Sequence, residues 1–318
     1  MNFSTNNKII IITSLLFSLL VQLKFYGFGN DYYAAYYKPN LWDYGAWYDK
    51  MGWVISTFSI YNIHLGVFLV SFIVSFCYGI LLKAYFKYRN FNSTFFFISL
   101  YILTLHTWPI IMSTSNAMRQ GIVMSLVFLN FAYLLKTKFK KSFFFIFISI
   151  FFHKSGILFL LIYINVFIFK FLSNSLKVNI HKGILFFIYS SFIFIFTYYL
   201  FLINPIFEVK ESKIIEGDFR YPFLVISLIF VLIFTFKFNF YENNYILLFL
   251  YVFIFLSFAI LLLGLNWEYE RIMMMITLPL ILTSGFLFNK TSSYLFLMLS
   301  VSFLLTLTFF NGMYHSLS

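Results

Sequence analysis

Apolar residues run along this chain in blocks of about twenty, parted by short polar stretches. Wound as α-helix, a block of roughly 18–20 residues matches the hydrocarbon core of a bilayer. The pattern predicts membrane segments at about residues 8–24, 53–82, 94–112, 117–135, 142–153, 155–170, 183–203, 221–237, 245–265, 272–288 and 293–311. The expected fold class is therefore an all-α polytopic integral membrane protein of about 11 transmembrane or half-membrane helices. One transmembrane domain is expected over residues 1–318.

Two blocks do not fit a simple crossing. Residues 53–82 are too many for one vertical span, so 51–62 are expected to lie along the outer interface before the chain descends, with Asn62 and His64 near the point of descent. The block over 142–170 must rise and return, because Lys136–Lys141 precede it and Lys170 follows it. Its first arm, eleven or so residues, rises only about 16–18 Å as helix, short of a ~30 Å core. The hairpin is thus expected to be re-entrant, with His153-Lys154-Ser155-Gly156 at a recessed tip. Polar backbone at that depth must be enclosed by protein or line a wet cavity. Two ionisable side chains there favour a functional site over a purely structural tip. His64 and His106 read more simply, as polar residues satisfied inside a helix bundle.

The sharpest polar break is Ser113-Thr114-Ser115-Asn116-Ala117-Met118-Arg119-Gln120-Gly121. Four N-cap residue types in a row, followed by apolar Ile122–Leu135, predict a helix start at which the hydroxyls act as caps. Arg119 would then sit in a first helical turn, where the helix dipole disfavours a cation. An anion held there by backbone N–H groups and the guanidinium fork would relieve that cost. The alternative is an interfacial arginine that reaches lipid headgroups.

Charge refines the picture. The net charge of +12 would suggest a nucleic-acid partner only on a water-exposed basic domain, and the chain has none. With the N-terminus inside, Lys8, Lys83, Lys87, Arg89, Lys136, Lys138, Lys140, Lys141, Lys170, Lys177, Lys182, Lys237 and Lys290 all fall on the cytoplasmic side, against a single acid, Glu242. That asymmetry is the usual mark of orientation. Lys8 followed by Ile9–Val21 looks like a signal sequence, but Gln22-Leu23-Lys24-Phe25 lacks a small-x-small cleavage site, so an uncleaved first span is expected. The single cysteine, Cys77, lies in an apolar run and reads as a core residue.

Arginine is used sparingly. Apart from Arg89, the arginines are Arg119, Arg220 and Arg271, each predicted at the outer, N-terminal end of a descending helix. Arginine reads phosphate through a bidentate fork that lysine lacks. Three such forks with a recessed His153 make a plausible diphosphate site, unless the arginines are dispersed and bind only lipid. The longest outer loop, about 25–52, carries Asp31, Tyr32, Tyr33, Tyr36, Tyr37, Trp42, Tyr44, Trp47 and Tyr48. Such residues suit a membrane interface, and equally stack on sugar rings. Phosphate-binding glycine loops, zinc His pairs and serine-nucleophile elbows are absent from the sequence. The charged stretch over 204–220 reads mainly as a solvated face.

Arg119-Gln120-Gly121 after Ser115-Asn116, then Phe152-His153-Lys154-Ser155-Gly156 some thirty residues on, resembles the EpsG family of Wzy-like polysaccharide polymerases. Gly29-Asn30-Asp31-Tyr32 with Tyr36 is similar to that family's early outer loop, though Tyr33 is an extra tyrosine, and Glu270-Arg271 is similar to its late span start. Arg220 has no matching motif.

The resemblance implies a GT-C-like, metal-independent membrane glycosyltransferase without cofactor, facing the periplasm or outside from the cytoplasmic (inner) membrane. Its partners would be undecaprenyl-diphosphate-linked oligosaccharide donor and acceptor, membrane lipids and a chain-length regulator, with no nucleic acid. Arg119 and Arg271 would neutralise the donor diphosphate, with Arg220 assisting. His153 would orient or protonate near it or deprotonate the acceptor hydroxyl, and Asp31 is the other base candidate. Gln120, Glu270, Tyr32, Tyr36 and Trp47 would bind substrate. The rival readings are an O-antigen ligase, a flippase for the same lipid-linked unit, and a structural partner in an export complex.

Overall fold

The computed structural model describes residues 3–22, 63–115, 117–175, 182–203, 220–236 and 244–310. The aromatic loop 25–52, the interfacial stretch expected over 51–62 and residues 204–219 lie outside them. The described residues form α-helices and turns, with no strand among them. The twelve α-helices are α1 (Phe3–Gln22), α2 (Ile63–Tyr88), α3 (Thr94–Leu105), α4 (Trp108–Ser115), α5 (Met118–Leu134), α6 (Phe139–Ser149), α7 (Ser155–Ser175), α8 (Lys182–Ile203), α9 (Arg220–Phe236), α10 (Tyr245–Leu262), α11 (Asn266–Ser284) and α12 (Lys290–Phe310), with a 3-10 turn at Gly285–Leu287.

Five of these, α2, α7, α8, α10 and α12, are long and apolar enough to cross a membrane. Their outward faces are apolar too: on α8, Ile184, Phe187, Ile188, Phe192, Ile195 and Phe196 are all exposed. A helix apolar on both its packed and its outer face is stable only if lipid is its solvent. The chain is a polytopic, all-helical membrane protein.

The expected span over 94–112 is broken. Helices α3 and α4 meet at 58° across His106 and Thr107. The groups at the break find local partners. The Thr107 hydroxyl donates to the Thr104 carbonyl at 2.7 Å, and His106 Nδ1 lies 2.8 Å from the Ile102 carbonyl, which bears out the simpler reading of that histidine. The Trp108 N–H donates to Thr308 Oγ1 on α12 at 2.9 Å. Pro109 falls in the first turn of α4, where proline costs nothing.

The described helices group into two compact units, Met1–Leu160 with Thr277–Ser318, and Leu161–Ile276. In the first, α2 carries Ser71, Ser75 and Gly79 at intervals of four, a small-residue stripe that lets neighbouring backbones approach. A Cβ on Gly79 would stand 2.7 Å from Ile10 of α1 and 2.9 Å from the Tyr101 hydroxyl of α3. That hydroxyl donates to the Ser75 carbonyl at 2.8 Å and pairs with Ser14 of α1 at 2.8 Å. Three helices are thus joined at one buried polar point, worth about 1 kcal/mol per hydrogen bond in lipid.

In the second unit, α10 is buried almost all round and is packed by Phe186 of α8 and Phe234 of α9 against Tyr251, with ring centroids 5.0 and 5.2 Å away. Tyr251 also bonds Thr235 at 2.7 Å.

Four lysines of the first unit lie near one another. Lys136, just past α5, has its ammonium pushed below the usual lysine range, first by burial and then by Lys138, Lys83 and Lys87. The ends of α2 and α5 therefore share one cationic pole. Arg89 there ties α2 to the turn before α12, donating to the Phe288 carbonyl at 2.8 Å and to Ser293 Oγ at 2.9 Å. Arg89→Ala is expected to lower unfolding stability in mild detergent by about 2 kcal/mol, and Ser293→Ala by about 1 kcal/mol. Unchanged midpoints for both would show that this tie contributes nothing.

Candidate functional site

The polar break before Arg119 is built differently from its sequence expectation. Ser113 and Thr114 do not cap α5; they lie in the last turn of α4, which runs to Ser115. The Ser113 hydroxyl donates back to the Ile110 carbonyl at 2.8 Å and the Thr114 hydroxyl to the Ile111 carbonyl at 2.9 Å. These hydroxyls find backbone acceptors one turn behind them, so the helix runs on through them. The Ala117 N–H then reaches the Met112 carbonyl at 2.8 Å, which closes the C-terminus of α4. Ala117 precedes α5 in a non-helical conformation and offers no side-chain cap.

Arg119 is the second residue of α5, in the first turn as expected. It is half-buried, and its Nε is withdrawn from solvent. Gln120 is 4% exposed, and its Oε1 is buried with no hydrogen-bond partner among the described residues. Leaving a buried amide oxygen unmet costs about 1–3 kcal/mol. Such a group is suited to receive a donor from a ligand. Gly121 explains how the break stays tight, because a Cβ there would lie 2.1 Å from the Ser113 carbonyl oxygen. Helices α4 and α5 touch backbone to backbone beside Arg119.

The two helices that flank the tip are unequal. Helix α6 has only 11 residues and α7 has 21. Ser142 of α6 donates its hydroxyl to Asn130 Oδ1 of α5, which anchors the short arm. His153 at the tip is 8% exposed. Its Nδ1 lies 2.9 Å from Ser155 Oγ and accepts the Ser155 backbone N–H at 3.2 Å. Gly156 lets the arms close, since a Cβ would stand 2.4 Å from the Ser149 carbonyl.

In the second unit, Arg220 opens α9, with Pro222 in the same first turn. Arg271 lies farther into its helix than expected. Helix α11 begins at Asn266 instead of about 272, so Arg271 is in its second turn. Asn266–Glu270 form the first residues of this helix and extend the apolar segment by a turn. Arg271 is half-buried with Nε withdrawn from solvent, and Glu270 is 1% exposed. A carboxylate so buried is tolerated only with hydrogen bonds or an opposite charge to hold it. Asp31, Tyr32, Tyr36 and Trp47 lie outside the described residues.

The first unit thus holds Arg119, Gln120 and His153, and the second holds Arg220, Glu270 and Arg271. Among the described residues no group of three or more His, Cys, Asp or Glu could hold a metal ion, and Cys77 is buried. Sequence reasoning passed over Gly121 and Gly156 as packing residues and Ser155 as a partner of His153. The i to i+2 spacing of His153 and Ser155 at a helix start was the available signal.

A family model described as the EpsG family matches residues 7–317. No curated protein and no solved structure matches the chain.

Gly121→Ala is expected to force α4 and α5 apart and to lower stability by about 1–3 kcal/mol, the usual cost of overpacking. A thermal midpoint in detergent equal to that of the parent protein would contradict the backbone contact at Ser113.

Proposed function

The chain belongs to the EpsG family, whose match runs over nearly its whole length, and from that premise we propose that it is a membrane glycosyltransferase that polymerises lipid-linked oligosaccharide repeat units. The product would be O-antigen, capsule or exopolysaccharide, made on the outer face of the cytoplasmic membrane. The observation that carries this reading is the Arg119-Gln120-Gly121 helix start, with an arginine and a buried, unmet amide oxygen in the first turn of an apolar helix.

The donor is a glycan on undecaprenyl diphosphate. The acceptor is a sugar hydroxyl of the next lipid-linked unit. The hydroxyl oxygen attacks the donor's anomeric carbon, the bond from that carbon to the diphosphate oxygen breaks, and the hydroxyl proton passes to a base. The diphosphate is already an activated leaving group, so neither nucleotide sugar nor metal is required. Arg119 and Arg271 would offset its growing charge, an electrostatic role that acts most strongly where water is excluded. Arg220 would assist from the start of α9. His153 would engage the diphosphate or the acceptor hydroxyl, Asp31 being the other base candidate. Gln120, Glu270, Tyr32, Tyr36 and Trp47 would hold the sugars.

Arg119→Lys is expected to leave protein level and folding unchanged and to cut long-chain product at least about a hundredfold, because lysine keeps the charge but loses the fork. A glycan ladder on a gel, from a deletion strain complemented with each variant, reads this directly. Wild-type chain length in that variant would end the diphosphate role. The deletion strain itself should leave single repeat units on the outer face of the membrane; their accumulation on the inner face would identify a flippase instead. Polymerisation in isolated membranes should continue at the same rate after treatment with a metal chelator.

A further inference from the structure

The tip His153-Lys154-Ser155-Gly156 contains a serine to which the proposed reaction gives no task. Both hydrogen-bond donors of Ser155 address one nitrogen of the histidine ring. Ser155 Oγ lies 2.9 Å from His153 Nδ1, and the Ser155 backbone N–H points to the same atom over 3.2 Å. A backbone N–H can only donate, so Nδ1 must present its lone pair there. With Nδ1 an acceptor, the serine hydroxyl donates to it as well. In a neutral imidazole the ring hydrogen is then on Nε2. An imidazolium would set a second N–H against that of Ser155, at the positive end of α7. With the residue 8% exposed, water is poorly placed to relieve that conflict.

The rest of the motif holds this arrangement. Ser155 opens α7, so its N–H is one that the helix ladder leaves unused. The ring of His153 caps it in the manner of an asparagine side chain. The Gly156 N–H binds the His153 carbonyl at 2.8 Å, and the contact of Gly156 with Ser149 fixes the turn from which the ring projects. The ring's remaining polar vertex is Nε2–H, a donor.

We infer that Ser155 is a positioning residue that holds His153 as the neutral Nε2–H tautomer, and that His153 donates a hydrogen bond to a phosphate oxygen of the lipid diphosphate and is not the base. The identity of that anion rests on the polymerase reading above. The acceptor proton then goes to a carboxylate, for which Asp31 is the candidate.

The experiment uses the full chain in lipid nanodiscs with 15N-labelled histidine, its ring signals assigned by their loss in His153→Gln. At neutral pH the wild type and Ser155→Thr should carry hydrogen on Nε2 and a bare Nδ1. Ser155→Pro removes both donors at a first helical position, where proline is accepted, and should populate the Nδ1–H form. Ser155→Ala, losing only the hydroxyl, should shift the Nδ1 signal if the proline variant does not fold. Hydrogen on Nδ1, or on both nitrogens, in the wild type would overturn the inference, as would an unshifted Nδ1 signal in the alanine and proline variants.

The glycan ladder tests the donor role. The glutamine amide of His153→Gln reaches the place of Nε2 and donates but takes no proton, so its product should exceed that of His153→Ala by about tenfold. Equal loss in both would overturn the donor role. Absence of any polymer from the wild type would instead remove the polymerase reading, while the tautomer result would still stand.

Discussion

A peptide N–H or carbonyl in hydrocarbon has no water to turn to, and this fold is arranged around that constraint. Within a helix the ladder meets it automatically. At a break it must be met by something else, and the breaks are where the chain places its polar residues. At the bend between α3 and α4, Thr308 from a distant helix receives the Trp108 N–H. Between α4 and α5, the Met112 carbonyl takes the Ala117 N–H across a widened turn. At the tip between α6 and α7, the ring of His153 takes the Ser155 N–H. The described residues proposed for chemistry in the first unit lie at the second and third of these breaks. There the first amides of a helix lie outside its ladder and must be met by other groups.

Close helix approach is the second requirement, and small residues supply it. Gly79, Gly121 and Gly156 each stand where a methyl group would meet a neighbouring helix at 2.7 Å or less. Lipid tails are as apolar as leucine, so helices in a membrane associate through close van der Waals contact and a few buried hydrogen bonds. The Ser14–Tyr101–Ser75 junction beside Gly79 has both. Gly121 supplies close approach for the Arg-Gln-Gly start, so this motif joins a packing residue to an arginine proposed to bind the diphosphate. Substitution of its glycine and of its arginine should therefore fail for different reasons, one by loss of fold and the other by loss of product.

The two kinds of cation are divided by task. Lysines gather at the shared end of α2 and α5, where Lys136 is crowded by Lys138, Lys83 and Lys87. They are compact, hydrated charges suited to a membrane surface. Arg89 shows the other use, a planar fork locking two backbone segments together. Arg119 and Arg271, half-buried in apolar helices, have the same capacity where an anionic substrate is proposed to lie.

Hydrophobic run length determined the all-helical membrane class and most helix boundaries, because bilayer thickness leaves little choice of element. The shortness of the helix before His153 was legible for the same reason: few residues lie between the Lys136–Lys141 charges and the tip. Charge asymmetry foretold the lysine pole. What the runs could not reveal were departures from uniform helix. The bend at His106–Thr107 depends on Thr308, two hundred residues away. Ser113 and Thr114 went to the end of α4 and not to the start of α5, because hydroxyls serve either role and the available acceptor decides which. Arg271 moved into a second turn because Asn266–Glu270 joined the helix. The tautomer of His153 likewise follows from the position of one backbone N–H. Run length and charge are properties of the chain alone, whereas the partner of a polar atom is settled only by what tertiary packing brings beside it.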